Sequence, residues 1–333
     1  VKMKITHLLL ISIFTFCNTN CNSQNKTNMA EQKNPLLCDP EIGSCEIPTN
    51  NATSAENNLI KSDIKPIKII YYTDPICSSC WGIEPQLRKL KLEYGNFIEI
   101  EYRMGGLLPD WSYNSGGISK PSDVAHHWDE VSAYYDMPID GNVWLTDPLS
   151  SSYPASIAFK AAQIQDNQKA LLFLREIREM VFLKKINIAK LENLETAAKN
   201  CGLDILKFKE DYENEAIKLF NDDLKLGREL GVRGFPTMFF TDATGKKEMI
   251  YGFQPYSIFE NTLHKLYSSA IKLDYDKSWT FLFSKFKTLT LKEFAVLSEI
   301  SREESEKKLE ELTLNGLLKK WNTKNGAIWS IAK

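Results

Sequence analysis

Cys77-Ser78-Ser79-Cys80 stands where a strand gives way to a helix. Upstream, Pro66-Ile67-Lys68-Ile69-Ile70-Tyr71-Tyr72 is a β-branched and aromatic run, the signature of a buried strand. Downstream, Trp81 to Tyr94 carries an amphipathic helical pattern. Two thiols three positions apart on a first helical turn share a face. Their Cα atoms can then fall near the ~5.5 Å a disulfide requires. The spacing by itself admits a redox pair, a static staple or half of a zinc site. Zinc would need two further ligands, and Cys38 and Cys45 lack the usual knuckle spacing. No metal is therefore expected, and no cofactor beyond a redox-active disulfide.

Working outward, Phe97-Ile98-Glu99-Ile100-Glu101-Tyr102-Arg103-Met104 alternates and reads as a second strand, ended by Gly105-Gly106. From about 107 to 230 the pattern is loop and then helix. Ser119-Lys120-Pro121-Ser122-Asp123 opens one helix; Ser151 to Ile164, Leu171 to Leu183 and Asn193 to Asn200 give others. Leu206 to Leu230 is long, charged and periodic. The β pattern returns at Thr237-Met238-Phe239-Phe240-Thr241 and Lys247-Glu248-Met249-Ile250-Tyr251. Between them Asp242-Ala243-Thr244-Gly245 is a turn, with Gly245 in the left-handed position. Gln254-Pro255-Tyr256 opens a helix expected to run through Leu273. The class is α/β.

Residues 276–333 read as a separate small module. Thr290 to Leu297 is a short helix and Arg302 to Gly316 a longer one. Thr323-Lys324-Asn325-Gly326 between aromatic runs signals a hairpin. Helix, helix, hairpin resembles a winged-helix domain. The second helix, however, carries three basic and five acidic residues between Arg302 and Leu312. Phosphates would repel that face, so a packing or protein-contact role is expected and nucleic acid is not.

The whole chain has 333 residues, is 43% hydrophobic and 25% charged, and has a net charge of -2. Nothing in that balance favours nucleic acid or an anionic membrane surface. Residues 1–28 resemble a secretory leader: Lys2 and Lys4 precede an apolar run from Leu8 to Phe16. Cys17 and Cys21 follow, as a lipid-modified cysteine follows a bacterial lipoprotein signal. This predicts an exported protein, periplasmic or anchored through lipid on that side. The alternative is a cytoplasmic protein translated from Met29. Residues 29–64 form a polar tether with little core-forming capacity; Cys38 and Cys45 in it are a candidate accessory redox pair. Cys201 reads as a buried free thiol, His126-His127 as a solvated pair, and Asp74 as a turn or cap residue with a proton relay as its alternative.

Gly231-Val232-Arg233-Gly234-Phe235-Pro236-Thr237 resembles the cis-proline loop of the thioredoxin superfamily. The long helical insertion between it and the Cys77–Cys80 pair is similar to that of the DsbA family. Thr73-Asp74-Pro75-Ile76-Cys77, Cys80-Trp81-Gly82-Ile83-Glu84-Pro85-Gln86-Leu87 and Met104-Gly105-Gly106-Leu107 look like the active-site block of the branch containing the SpxH protease adapter. The resemblance implies a thioredoxin-like domain over 65–275, with the insertion at about 107–230. It implies Cys77 as attacking thiolate and Cys80 as resolving thiol. Phe235, Pro236 and Trp81 would contact substrate, and Arg233 would add to the field at the pair if it points there.

A helix N-terminus contributes at most ~2 kcal/mol to a thiolate, or roughly 1.5 pKa units. Ser78-Ser79 adds no imidazolium, so the Cys77 pKa is expected nearer the thioredoxin end (about 7) than the DsbA end (about 3.5). The function expected first is a protein thiol–disulfide oxidoreductase with protein thiol or disulfide substrates and a redox partner protein. Its alternative is a cytosolic DsbA-like adapter that presents a client protein to an ATP-dependent protease.

Overall fold

Ile67, Ile69 and Tyr71 of strand β1 (Ile67–Thr73) are fully buried, while Lys68 between them is exposed. The computed structural model describes residues 65–112 and 120–332. The leader, the tether and Cys38 and Cys45 lie outside the described residues. β2 (Ile98–Met104) pairs parallel to β1. β3 (Thr237–Asp242) pairs antiparallel to β1, and β4 (Lys247–Tyr251) antiparallel to β3. The sheet order is β2-β1-β3-β4, the α/β thioredoxin-like arrangement the sequence predicts.

The helix expected from Trp81 to Tyr94 is broken. α1 (Ser78–Gly82) is a single turn, and α2 (Glu84–Tyr94) begins anew beyond Ile83. Pro85 explains the break, because its ring would clash with the carbonyl four residues earlier in a continuous helix. The insertion comprises α3 (Pro121–Tyr135), α4 (Val143–Thr146), α5 (Tyr153–Gln165), α6 (Asn167–Phe182), α7 (Leu191–Asn200), α8 (Ile205–Glu213) and α9 (Glu215–Glu229). The long periodic stretch over 206–230 is thus two helices. At their junction Asn214 Nδ2 donates to the Glu210 carbonyl, a side-chain bond that competes with the helical ladder.

Phe159, Phe173, Phe182, Phe208 and Phe220 fill the core of the insertion. Buried Asp223 of α9 fastens it to the sheet. Its carboxylate accepts from Arg103 Nη1 at 2.7 Å, the Met104 amide at 2.9 Å and Lys160 Nζ at 2.5 Å.

α10 (Tyr256–Leu266) ends short of Leu273. Ser268 and Ser269 favour backbone competition over helix, and the Leu273 amide instead donates to the Glu93 carbonyl of α2. The C-terminal module contains α11 (Trp279–Lys285), β5 (Thr288–Thr290), α12 (Leu291–Ser298), α13 (Arg302–Leu314), β6 (Leu318–Thr323) and β7 (Gly326–Ile331). Its sheet order is β5-β7-β6. Thr290 with Glu293, and Ser301 with Glu304, form capping boxes that start α12 and α13. The module has its own apolar core around Leu289, Phe294, Leu309 and Trp329, but all the described residues form one compact unit.

Candidate active site

The turn that leaves β1 places the thiols. Asp74 Oδ1 accepts from the Ile76 amide at 3.0 Å, and the Asp74 carbonyl accepts from the Cys77 amide at 3.2 Å. Cys77 is then the N-cap of α1, with extended backbone (φ −74°, ψ 106°). Its Sγ accepts from the Cys80 amide at 3.1 Å, the bond a serine or aspartate oxygen usually makes at this position. Cys77 and Cys80 are joined by a disulfide with Cα atoms 5.2 Å apart. Cys77 is 4% exposed and Cys80 not at all. Because α1 is one turn, a long helix dipole is not what acts on Cys77; the directed Cys80 N–H is.

The second half of the site arrives through strand register. Tyr72 of β1 faces Thr237 of β3, which brings the start of β3 beside the end of β1. The Phe235–Pro236 bond just before it is cis. The Gly252 amide donates to the Pro236 carbonyl at 2.8 Å. Pro236 is buried and Phe235 half-buried. The Phe235 ring lies over Gly105, where an added Cβ would fall 1.9 Å from Phe235 Cζ. Gly105 therefore has to lack a side chain for the loop to sit here.

Trp81 does not flank the thiols as a contact surface, and that expectation is corrected. It is completely buried, stacks on Phe182 and donates Nε1–H to the Pro138 carbonyl at 3.1 Å. Its position inside a one-turn helix points it into the insertion. Aromatic surface beside the pair comes instead from elements far away in sequence. Tyr135 of α3 shares a 2.7 Å hydrogen bond with Ser79 Oγ, and its ring covers Gly82. Phe253 packs on Tyr135, and Tyr134, 73% exposed, packs on both. Only the small residue at Gly82 hints at this ring in the sequence. Arg233 is exposed on its loop.

Asp74 is fully buried. Its Oδ2 accepts from the Leu107 amide at 2.8 Å and from Ser152 Oγ at 2.9 Å, so it clamps the Cys77 turn to the β2 exit and to α5. That is the turn role, extended to two other segments. Burial pushes its carboxyl up to about 6 from the ordinary 3.8, against the pull of these hydrogen bonds and of Arg178. The folded protein therefore keeps a proton that the unfolded chain releases between those values. Asp74 thus makes stability fall as pH rises from about 4 to about 6, by up to ~3 kcal/mol. The stability of an Asp74→Asn variant relative to the parent should rise by that order across this window in urea unfolding. A difference that stays flat with pH would refute this.

Six buried or half-buried charges lie behind the pair. Arg178 of α6 donates to Glu84 Oε1 at 2.5 Å and to Thr73 Oγ1 at 2.6 Å. Arg175 donates to Glu179 at 2.7 Å and forks onto Glu293 at 2.7 and 3.0 Å, with its guanidinium 4.3 Å above the Trp81 ring. Arg88 of α2 reaches Glu293 at 3.3 Å and the Thr288 carbonyl at 2.9 Å. Glu293 is completely buried. Burial opposes its ionisation, but Arg175 and Arg88 outweigh that and hold its carboxyl below the usual range.

Elsewhere, Cys201 is a buried free thiol, pushed up to about 11 mainly by burial, and so is inert. His126 and His127 are exposed on α3, with His126 Nε2 3.2 Å from Glu130. Among the described residues no group of three or more His, Cys, Asp and Glu could hold a metal ion, and no helix is long and apolar enough to cross a membrane.

The thioredoxin family profile matches residues 71–261. The ClpXP adapter protein SpxH of Halalkalibacterium halodurans is 33% identical over 307 residues, covering 90% of this chain and 99% of that protein. SpxH of Bacillus subtilis is 31% identical, covering 80% of this chain and 89% of its own length. Among solved structures, a putative protein disulfide isomerase from Nitrosomonas europaea superposes with a TM-score of 0.52. It shares 22% identity and covers 62% of this chain and 97% of that one, which speaks for the fold. With the sheet order, the paired cysteines at the end of β1 and the long helical insertion in place, the chain belongs to the thioredoxin family, in the group that contains the SpxH adapters.

Proposed function

We propose that Cys77 and Cys80 form a thiol–disulfide exchange centre acting on protein substrates. The observation that carries this is a CxxC disulfide at the N-cap of α1 whose first sulfur receives the Cys80 N–H. That N–H favours Cys77 as thiolate, and a thiolate is the attacking species. Cys77 attacks a substrate disulfide sulfur, one substrate thiolate leaves, and a mixed disulfide forms. Cys80 then attacks Cys77 Sγ, closing the pair and releasing the substrate's second thiolate. Run in reverse, the same steps oxidise a substrate dithiol. A redox partner protein resets the pair in either case.

Phe235 and Pro236 supply the backbone edge along which an extended substrate lies. Tyr134, Tyr135 and Phe253 supply apolar surface next to it. A Cys80→Ser variant should accumulate covalent partners through Cys77, seen as species that collapse on reduction in non-reducing gels. A Cys80→Ser protein that stays free of adducts in its own cells argues against exchange.

A second reading is favoured by similarity to SpxH over 90% of the chain. In it the same surface holds a client for an ATP-dependent protease, which places the protein in the cytoplasm. The order helix, strand, two helices, hairpin in residues 276–333 supports a winged-helix-like contact module in that role. The exported, lipid-anchored alternative rests on residues 1–28, and mass spectrometry of the mature N-terminus separates the two compartments.

A further inference from the structure

Glu293 belongs to the C-terminal module, yet it is built into the surroundings of the cysteine pair. One arm runs from Glu293 through the Arg175 fork to the guanidinium lying on Trp81, the residue that follows Cys80. The other runs from Glu293 to Arg88, which is 3.9 Å from Glu84, and from Glu84 to Arg178. Arg178 bonds Thr73 Oγ1 and, at 3.4 Å, the Asp74 carbonyl, the same carbonyl that accepts from the Cys77 amide. The two arms thus reach both sides of the pair. Three guanidiniums (Arg88, Arg175, Arg178) balance three carboxylates (Glu84, Glu179, Glu293). Removing one member leaves a buried, uncompensated charge behind the thiols.

We propose that Glu293, acting through Arg175, is a positioning residue that sets the reduction potential of the Cys77–Cys80 couple from the C-terminal module. This rests on the exchange reading above for its biological use. Reduction of the pair by a dithiol breaks the Cys77–Cys80 bond and forms the cyclic disulfide of the reductant. Two electrons and two protons pass to the protein, and Cys77 releases its proton to solvent at a pH above its pKa. The reduced form then carries a negative charge that the oxidised form lacks. Excess positive charge in the cluster favours it and excess negative charge opposes it. Unit charges about 10 Å apart at an effective dielectric constant of about 20 change such an equilibrium by about tenfold.

The test is equilibration of the full chain with dithiothreitol at a pH above the Cys77 pKa, read as fraction reduced. E293Q should shift the equilibrium about tenfold towards the dithiol, ~30 mV more oxidising. R175Q should shift it by a similar factor the other way. R175K, which keeps the charge without the fork, should stay near the parent, as should the E293Q/R175Q double variant. K324Q, which removes the hairpin contact to Asp129 without touching the cluster, should leave the equilibrium unmoved.

Loosening of the fold would move E293Q and R175Q in the same direction; that outcome, or no movement in either, overturns the proposal. If E293Q does not fold, the contrast between R175Q and R175K decides by itself. A pair that equilibrates with these shifts but never traps substrate would retire the exchange reading and leave the tuning intact. A pair that dithiothreitol never opens would retire both.

Discussion

Replacing Arg178 with methionine should cost about 3–5 kcal/mol of stability, the range for removing one partner of a buried ion pair. Arg178 is 1% exposed, so its two terminal nitrogens rely on Glu84, Thr73 and the Asp74 carbonyl in place of water. Without it, Glu84 keeps only Arg88 at 3.9 Å, and Thr73 Oγ1 loses its 2.6 Å donor. Methionine fills the volume, so the loss is electrostatic and not a cavity. Guanidinium unfolding should show a lower midpoint with an unchanged slope. Arg178→Lys should recover part of the loss, since an ammonium keeps the charge but lacks the planar fork. Arg302→Met is the contrast: its pair with Asp136 is about half exposed, and its loss should cost under ~1 kcal/mol. Equal costs at the two sites would mean the cluster behind the cysteines is solvated and would undo the account given for it.

The second large effect is on chemistry. In a Cys77→Ala/Cys80→Ala protein, exchange with a protein disulfide should fall to the uncatalysed background. Fold should survive, because cross-linking so short a loop constrains the unfolded chain by only roughly 2 kcal/mol. Non-covalent capture of a client should also survive, since Phe235, Tyr134 and Phe253 remain in place. Residual exchange would remove the pair from its assigned role. Loss of client capture in a protein that still melts cooperatively would show that binding runs through the sulfur alone, and would end the adapter reading.

What could be read from the chain was whatever leaves a local trace. The β-branched and aromatic run of β1, the alternation of β2, the cysteine spacing and the turn at Gly245 each depend on neighbours in sequence. The Phe235–Pro236 loop was legible because it resembles a known loop. The breaks at Ile83 and Asn214 were written in Pro85 and in an asparagine, but both sit inside otherwise helical patterns that mask them. Trp81 was misplaced because a tryptophan beside a thiol looks the same whether it points outward or inward. The cluster was illegible for a different reason. Arg175 and Glu293 lie 118 positions apart, and each resembles an ordinary surface charge on its own helix. Only tertiary packing reveals that neither is solvated.

The ion cluster also bears on inheritance. A recombination event that joined the first part of this gene to another partner, anywhere between α10 and α12, would strand Arg88 and Arg175 without Glu293. Such chimeras would lose the ion pairs that hold Glu293 against Arg88 and Arg175, so exchanging either part alone should cost stability that exchanging both together does not.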